Sequence, residues 1–116
     1  LSDVGLEGAK LTVKPSVRVF IPAMRRSGKL VGLMCIAPSM TGVLFGEGAN
    51  FTIGNDKETA AAIEATGAVH QNCVVEDVCV DRANKLVTTP AYMLAGRMSE
   101  AAIGINKLVD TVLAMA

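Results

Sequence analysis

Apolar positions along the chain fall into helical and strand-like patterns that alternate. Val17, Phe20, Ile21 and Met24 follow the i, i+3, i+4, i+7 spacing of an amphipathic helix. Pro15 suits its first turn, Arg25 and Arg26 its carboxyl end, and Gly28 its C-cap. Positions 1–14 have no clear period and read as a loop. The unbroken apolar run 30–34 predicts a short buried strand, and a helix over about 37–44 follows, with Pro38 in its first turn. A turn over 46–50 leads to a short strand at 51–53. Asn55 or Asp56 caps a helix over 58–65 that Gly67 ends. The β-rich runs 74–80 and 85–88 flank Asp81-Arg82-Ala83-Asn84 and predict a hairpin. A last helix over 97–115 carries the apolar stripe Met98, Ala101, Ala102, Ile105, Leu108, Val109 and Val112.

Such alternation predicts an α/β layered sheet, yet too few strands precede the first helix to complete a parallel one. The sheet is expected to lack a side. Composition agrees: 51% of the 116 residues are hydrophobic but only 3% aromatic, so Val, Ile, Leu, Ala and Met must build the core. That usage suits parallel strands covered by helices. Eleven basic residues balance eleven acidic ones, so no basic field exists to hold a nucleic-acid backbone. No apolar run is long enough to cross a bilayer, and no membrane partner is expected. Three cysteines without framework spacing read as reduced thiols in a cytosol-like compartment.

The segment Leu30-Val31-Gly32-Leu33-Met34-Cys35-Ile36-Ala37-Pro38-Ser39-Met40 concentrates the candidate chemistry. It reads as strand, sharp turn and helix, with Cys35 at the corner. This is the layout of a nucleophile elbow, which pushes a reactive atom out at the carboxyl edge of a parallel sheet. A thiol at a helix start favours the thiolate. The backbone N–H of Ile36 would point at an oxyanion formed beside the sulphur, and Gly32 permits close packing under the turn. The bland reading of Cys35 is a small buried hydrophobe.

The stretches GKLVGLMCIAPSM, FTIGNDKETA, GAVHQNC and NKLVTTPAYMLA resemble the enhancing-lycopene-biosynthesis (ElbB, sigma cross-reacting) proteins. These belong to the class I glutamine-amidotransferase-like (PfpI) superfamily. The resemblance covers nearly the whole chain in the right order, but only the carboxyl-terminal half of such a protein. It implies a flavodoxin-like three-layer α/β sandwich, of which residues 1–116 are the carboxyl-terminal part of one domain. The amino-terminal half, with a glycine-rich loop and an acid facing the cysteine, is expected on another chain or lost by cleavage before Leu1.

PfpI-type proteases place a histidine base directly after the nucleophile. Ile36 stands there in this chain, which argues against protease and glutaminase chemistry. An acid from the other half must then carry the proton. In the superfamily the loop matching Thr88-Thr89-Pro90-Ala91-Tyr92 borders the pocket. Thr89 and Tyr92 therefore either shape a substrate site or are plain turn chemistry, and the two readings stand level. His70, Cys73 and Cys79 fit no common zinc spacing, so no metal is expected. The resemblance implies a cofactor-free glyoxalase acting on glyoxal or a related small dicarbonyl. The alternative is a non-enzymic dimeric scaffold or cysteine redox sensor supporting isoprenoid production. A homodimer is expected, in the cytoplasm or alternatively the mitochondrial matrix.

Overall fold

The computed structural model describes residues 12–116. Most of the loop expected over 1–14 lies outside these residues. In chain order the elements are α1 (Pro15–Arg26), β1 (Val31–Met34), a 3-10 turn (Ala37–Met40), α2 (Thr41–Phe45), β2 (Asn50–Phe51), α3 (Lys57–Glu64), β3 (Val69–His70), β4 (Cys79–Asp81), β5 (Leu86–Thr89), a second 3-10 turn (Ala91–Met93) and α4 (Met98–Met115).

The main sheet has the order β1-β5-β4. β1 and β5 run parallel, with Val31 opposite Leu86 and Met34 opposite Thr89. β4 and β5 form the expected antiparallel hairpin, with Cys79 opposite Thr88 and Asp81 opposite Leu86. Strand alternation sends Val31 and Leu86 to one face, where they pack with Val13, Met40, Leu44 and Phe45 from the α1–α2 side. Gly32 and Thr89 face the other way, under α4: a side chain at Gly32 would meet Leu108, and one at Gly104 would meet Thr89. The result is helices, sheet and helix in three layers, the α/β sandwich that the resemblance implied.

β2 and β3 pair in parallel, and with α3 they enclose a second small core of Phe51, Ile53, Ala60, Ile63 and Ala68. Side chains rather than a main-chain ladder fasten this unit to the main sheet. The N–H of Asn50 donates to the Asp81 carboxylate at 2.8 Å, and that of Thr52 to the Thr88 hydroxyl at 2.9 Å. Asp81 also accepts from the N–H of Asn84 at 3.0 Å and from its side-chain amide at 2.8 Å, which shapes the hairpin turn. Arg25 of α1 reaches the same turn, donating to Asn84 at 2.6 Å.

Four expectations change. The helix over 37–44 is split into a 3-10 turn and a five-residue α-helix. The strand over 74–80 begins only at Cys79, because Asp77 closes a turn on Val74 (N···O 3.1 Å) and caps its own neighbour Val78. In α1, Val17 and Ile21 pack on the core, but Phe20 is exposed on the side of the helix that no other described residue covers. In α4 the buried line is Ala101, Gly104 and Leu108, while Met98 and Val109 lie in solvent. Gly104 lets the helix approach the sheet closely, and that contact rotates the buried stripe away from Met98. Strand β3, two residues long, had no period to reveal it.

The caps at Gly28 and Asp56 hold as expected. Gly28 (φ +77°) ends α1, with Gly28 N–H bonded to Arg25 O and Lys29 N–H to Met24 O. Asp56 caps α3, accepting from the Glu58 N–H at 3.2 Å and the Thr59 hydroxyl at 2.6 Å.

Candidate functional site

Cys35 occupies the corner where β1 ends. Its φ of +61° lies in the left-handed region, which costs a residue with a Cβ about 1–2 kcal/mol. Strain of this kind persists where the surroundings over-determine it. Here the last rung of the β1–β5 ladder does so: the Cys35 N–H donates to the Thr89 carbonyl at 3.1 Å. The backbone then turns into the 3-10 segment, where Ser39 N–H bonds back to the Ile36 carbonyl at 3.0 Å. The thiol is half-buried, at the carboxyl end of the parallel pair.

The sequence candidates fall into two groups around this corner. Ile36 follows directly, its side chain exposed, and its N–H donates to no acceptor among the described residues. Thr89 lies beneath, fully buried. Its carbonyl holds the Cys35 N–H, and its hydroxyl donates to the Asp77 carbonyl at 2.7 Å. Thr89 thus supports the corner from below. Tyr92 sits in the second 3-10 turn and is largely exposed, with no close partner among the described residues.

Sequence reasoning missed three features of this neighbourhood. Ser39, two residues into the 3-10 turn, is fully buried and its hydroxyl has no partner among the described residues. Gly104 lies in close contact with Thr89 and the Val75 carbonyl, a role that an isolated glycine inside a helical pattern can signal. Ala91 adopts a φ of +46°, for which the alanine gave no hint.

The other thiols sit in less favourable surroundings. Burial, with the neighbouring Asp77 carboxylate, pushes the Cys73 thiol up to about 11. Cys79 is also raised, chiefly by burial. Both therefore hold their protons at neutral pH. Cys73 lines a shallow hollow of about 320 Å³ with Asn55, Asn72 and Val74. His70 packs edge-on against Phe51 at 5.2 Å between ring centres, and its Nε2 accepts from the Ile53 N–H at 3.4 Å. Burial lowers its pKa, partly offset by Glu64. Among the described residues no group of three or more His, Cys, Asp or Glu is placed to hold a metal ion. No described helix is long and apolar enough to cross a membrane.

No protein-family profile matches the chain. Curated proteins do. The human glutamine amidotransferase-like class 1 domain-containing protein 3, mitochondrial, is 34% identical over 122 residues, covering 97% of this chain and 45% of its own length. The rat ES1 protein homolog, mitochondrial, is 32% identical over 97% of this chain and 46% of its own length. The chain therefore spans about half the length of the curated relatives it matches. Among solved structures, an isoprenoid biosynthesis protein with an amidotransferase-like domain from Ehrlichia chaffeensis superposes with a TM-score of 0.81 at 21% identity. That match covers 90% of this chain and 49% of the other.

Proposed function

Because the chain belongs to the class I glutamine amidotransferase-like superfamily, we propose that it carries the nucleophile half of a cofactor-free glyoxalase, with Cys35 as the attacking group. The observation that carries this reading is the left-handed Cys35 corner at the carboxyl end of β1, locked by the Thr89 carbonyl. A strained, solvent-reachable thiol beside an unpaired N–H is what addition to an aldehyde requires.

The Cys35 sulphur adds to one carbonyl carbon of glyoxal, and the alkoxide that forms faces the Ile36 N–H and takes up a proton to give a hemithioacetal. A carboxylate then removes the carbon-bound proton of that centre and returns a proton to the neighbouring carbon through an enediol. The product is a thioester of glycolate. Water cleaves it, releasing glycolate and restoring the thiol. One carbon is oxidised as the other is reduced, so no external oxidant enters. We place that carboxylate outside residues 1–116, in the half of the fold that the longer relatives carry in addition. Tyr92 borders the entrance, and Thr89 fixes the corner.

Turnover of glyoxal to glycolate by this chain with its companion half, measured for the natural protein and for Cys35→Ser, tests the reading. Glycolate formation that disappears in Cys35→Ser supports it. Equal formation in both removes Cys35 from the reaction.

A second reading has its own support. The structurally similar Ehrlichia chaffeensis protein is called an isoprenoid biosynthesis protein, which supports the isoprenoid link of the alternative, a dimeric scaffold or thiol sensor. In that case a peroxide oxidises the Cys35 thiolate to a sulfenic acid, its O–O bond breaking and the other oxygen leaving as water or an alcohol, without turnover of a dicarbonyl. The mitochondrial designation of both curated relatives favours the mitochondrial matrix over the cytoplasm as the working compartment.

A further inference from the structure

β1 and β5 begin side by side, at the edge of the sheet opposite Cys35. There the residues that precede them, with the carboxyl half of α4, border an open hollow of about 630 Å³. The length of β1 separates it from Cys35, roughly 13 Å of extended chain. The reaction proposed at Cys35 makes no use of this hollow.

Its charge is lopsided. The chain as a whole is neutral, yet three cations line the hollow against one carboxylate, that of Asp110. Lys107, on α4, is engaged by Asp77. Arg82 and Lys85 come from the hairpin turn, which the Lys85 N–H closes on the Arg82 carbonyl at 3.3 Å. The Arg82 guanidinium has no partner among the described residues. Lys85 donates one ammonium N–H to the Gly28 carbonyl at 3.1 Å, which leaves two. Its backbone stands at φ +53°, where glycine or asparagine is at ease and a lysine is strained. Strain of this kind gathers at ligand clamps.

The remaining wall decides how an anion would lie. Leu30 and Met115 are half-buried and form an apolar flank with Ala114. Asp110 and the carboxyl end of α4 both repel negative charge. The Thr111 hydroxyl gives its proton to the Lys107 carbonyl at 2.6 Å and has none for a ligand. An anion therefore seats at the hairpin turn, and the group it carries lies on the apolar flank.

We infer that this hollow binds a small phosphate monoester with an apolar body, the phosphate held by Arg82 and Lys85 and the body resting on Leu30, Ala114 and Met115. Two uncommitted cations match the roughly two negative charges of a phosphate monoester near neutral pH. The planar fork of Arg82 suits phosphate oxygens. A carboxylate brings one charge, and bare phosphate leaves the apolar flank uncovered. The site does not depend on the reaction proposed at Cys35.

Calorimetric titration of the full chain with n-hexyl phosphate, inorganic phosphate and hexanoate tests the inference, with amide NMR to place the bound molecule. Hexyl phosphate is expected to bind saturably, about tenfold or more tightly than either other probe, and to shift the amides of Leu30, Lys85 and Met115. Arg82→Gln is expected to weaken it by about tenfold or more. Arg82 is exposed and its side chain enters no described hydrogen bond, so an unchanged unfolding midpoint shows that this loss is one of binding. Cys35→Ser is expected to bind as the natural chain does. The inference is overturned if hexyl phosphate shows no saturable binding at millimolar concentration, or if Arg82→Gln binds it equally well. Equal affinity for inorganic phosphate would reduce the hollow to a charged patch, and equal affinity for hexanoate would leave the phosphate unrecognised; either overturns it. Loss of binding in Cys35→Ser would place the ester at the other edge of the sheet and overturn it as well.

Discussion

Replacing Gly104 with alanine sets two effects of opposite sign against each other. In a helix interior, alanine is better than glycine by about 1 kcal/mol, so propensity alone makes Gly104→Ala stabilising. The packing says otherwise. A Cβ at position 104 would overlap the Val75 carbonyl oxygen and stand 3.1 Å from the Thr89 hydroxyl. Forcing a methyl group into packed surroundings costs about 1–3 kcal/mol, and the upper end applies because the main obstacle is backbone. Relief by shifting the loop at Val75 also pulls the Asp77 carbonyl from the Thr89 hydroxyl, now bonded at 2.7 Å, for roughly 1 kcal/mol more. The net expectation is a loss of about 2–3 kcal/mol, which for a domain of this size lowers the melting temperature by roughly 10 °C. Urea and thermal unfolding followed by circular dichroism measure it. Because Thr89 holds the Cys35 N–H, the same variant is expected to alkylate Cys35 at an altered rate. A Gly104→Ala protein as stable as the natural one, or more so, would refute the close approach of α4 to the sheet.

Three further expectations follow from the same geometry. Cys35→Gly should stabilise the fold by about 0.5–1 kcal/mol in denaturant unfolding, since relief of the left-handed strain outweighs the greater chain entropy of glycine; a destabilised variant would mean the corner is unstrained. Iodoacetamide at pH 7.5 should modify Cys35 before Cys73, whose thiol burial pushes up to about 11, and faster labelling of Cys73 by peptide mapping would overturn this. Burial of Asp81 raises its pKa, but the hydrogen bonds from Asn50 and Asn84 outweigh it and hold the group below the usual carboxylate range. Its contribution is thus present above the unfolded value of about 4 and lost as pH falls through the lower folded value, so Asp81→Asn should flatten the acid limb of the stability profile; an unchanged limb would count against the seam it forms.

The sequence made the elbow legible because a buried strand, a cysteine and a proline-led turn are all local signals. The hairpin was equally plain, since Asp81 and Asn84 shape their own turn. What escaped was set by tertiary contact. The rotation of α4 depends on Gly104 meeting Val75, twenty-nine positions earlier in the chain. The seam from Asn50 and Thr52 to Asp81 and Thr88 uses side chains where a ladder would leave a periodic trace. The exposure of Phe20, Met98 and Val109 follows from what lies beside them, which no pattern within the chain encodes. The resemblance singles out Thr89, but its burial comes from α4 lying over it and its hold on Cys35 from the parallel pairing.

In the proposed reaction Cys35 forms the bond to the substrate. Acid quenching of the assembled protein during glyoxal turnover, followed by peptide mass analysis, tests it most directly. Expected are a mass increase of one glyoxal on the peptide bearing Cys35, none on that bearing Cys73, and loss of both adduct and glycolate in Cys35→Ser. Glycolate formed at an undiminished rate with Cys35 unmodified would contradict it.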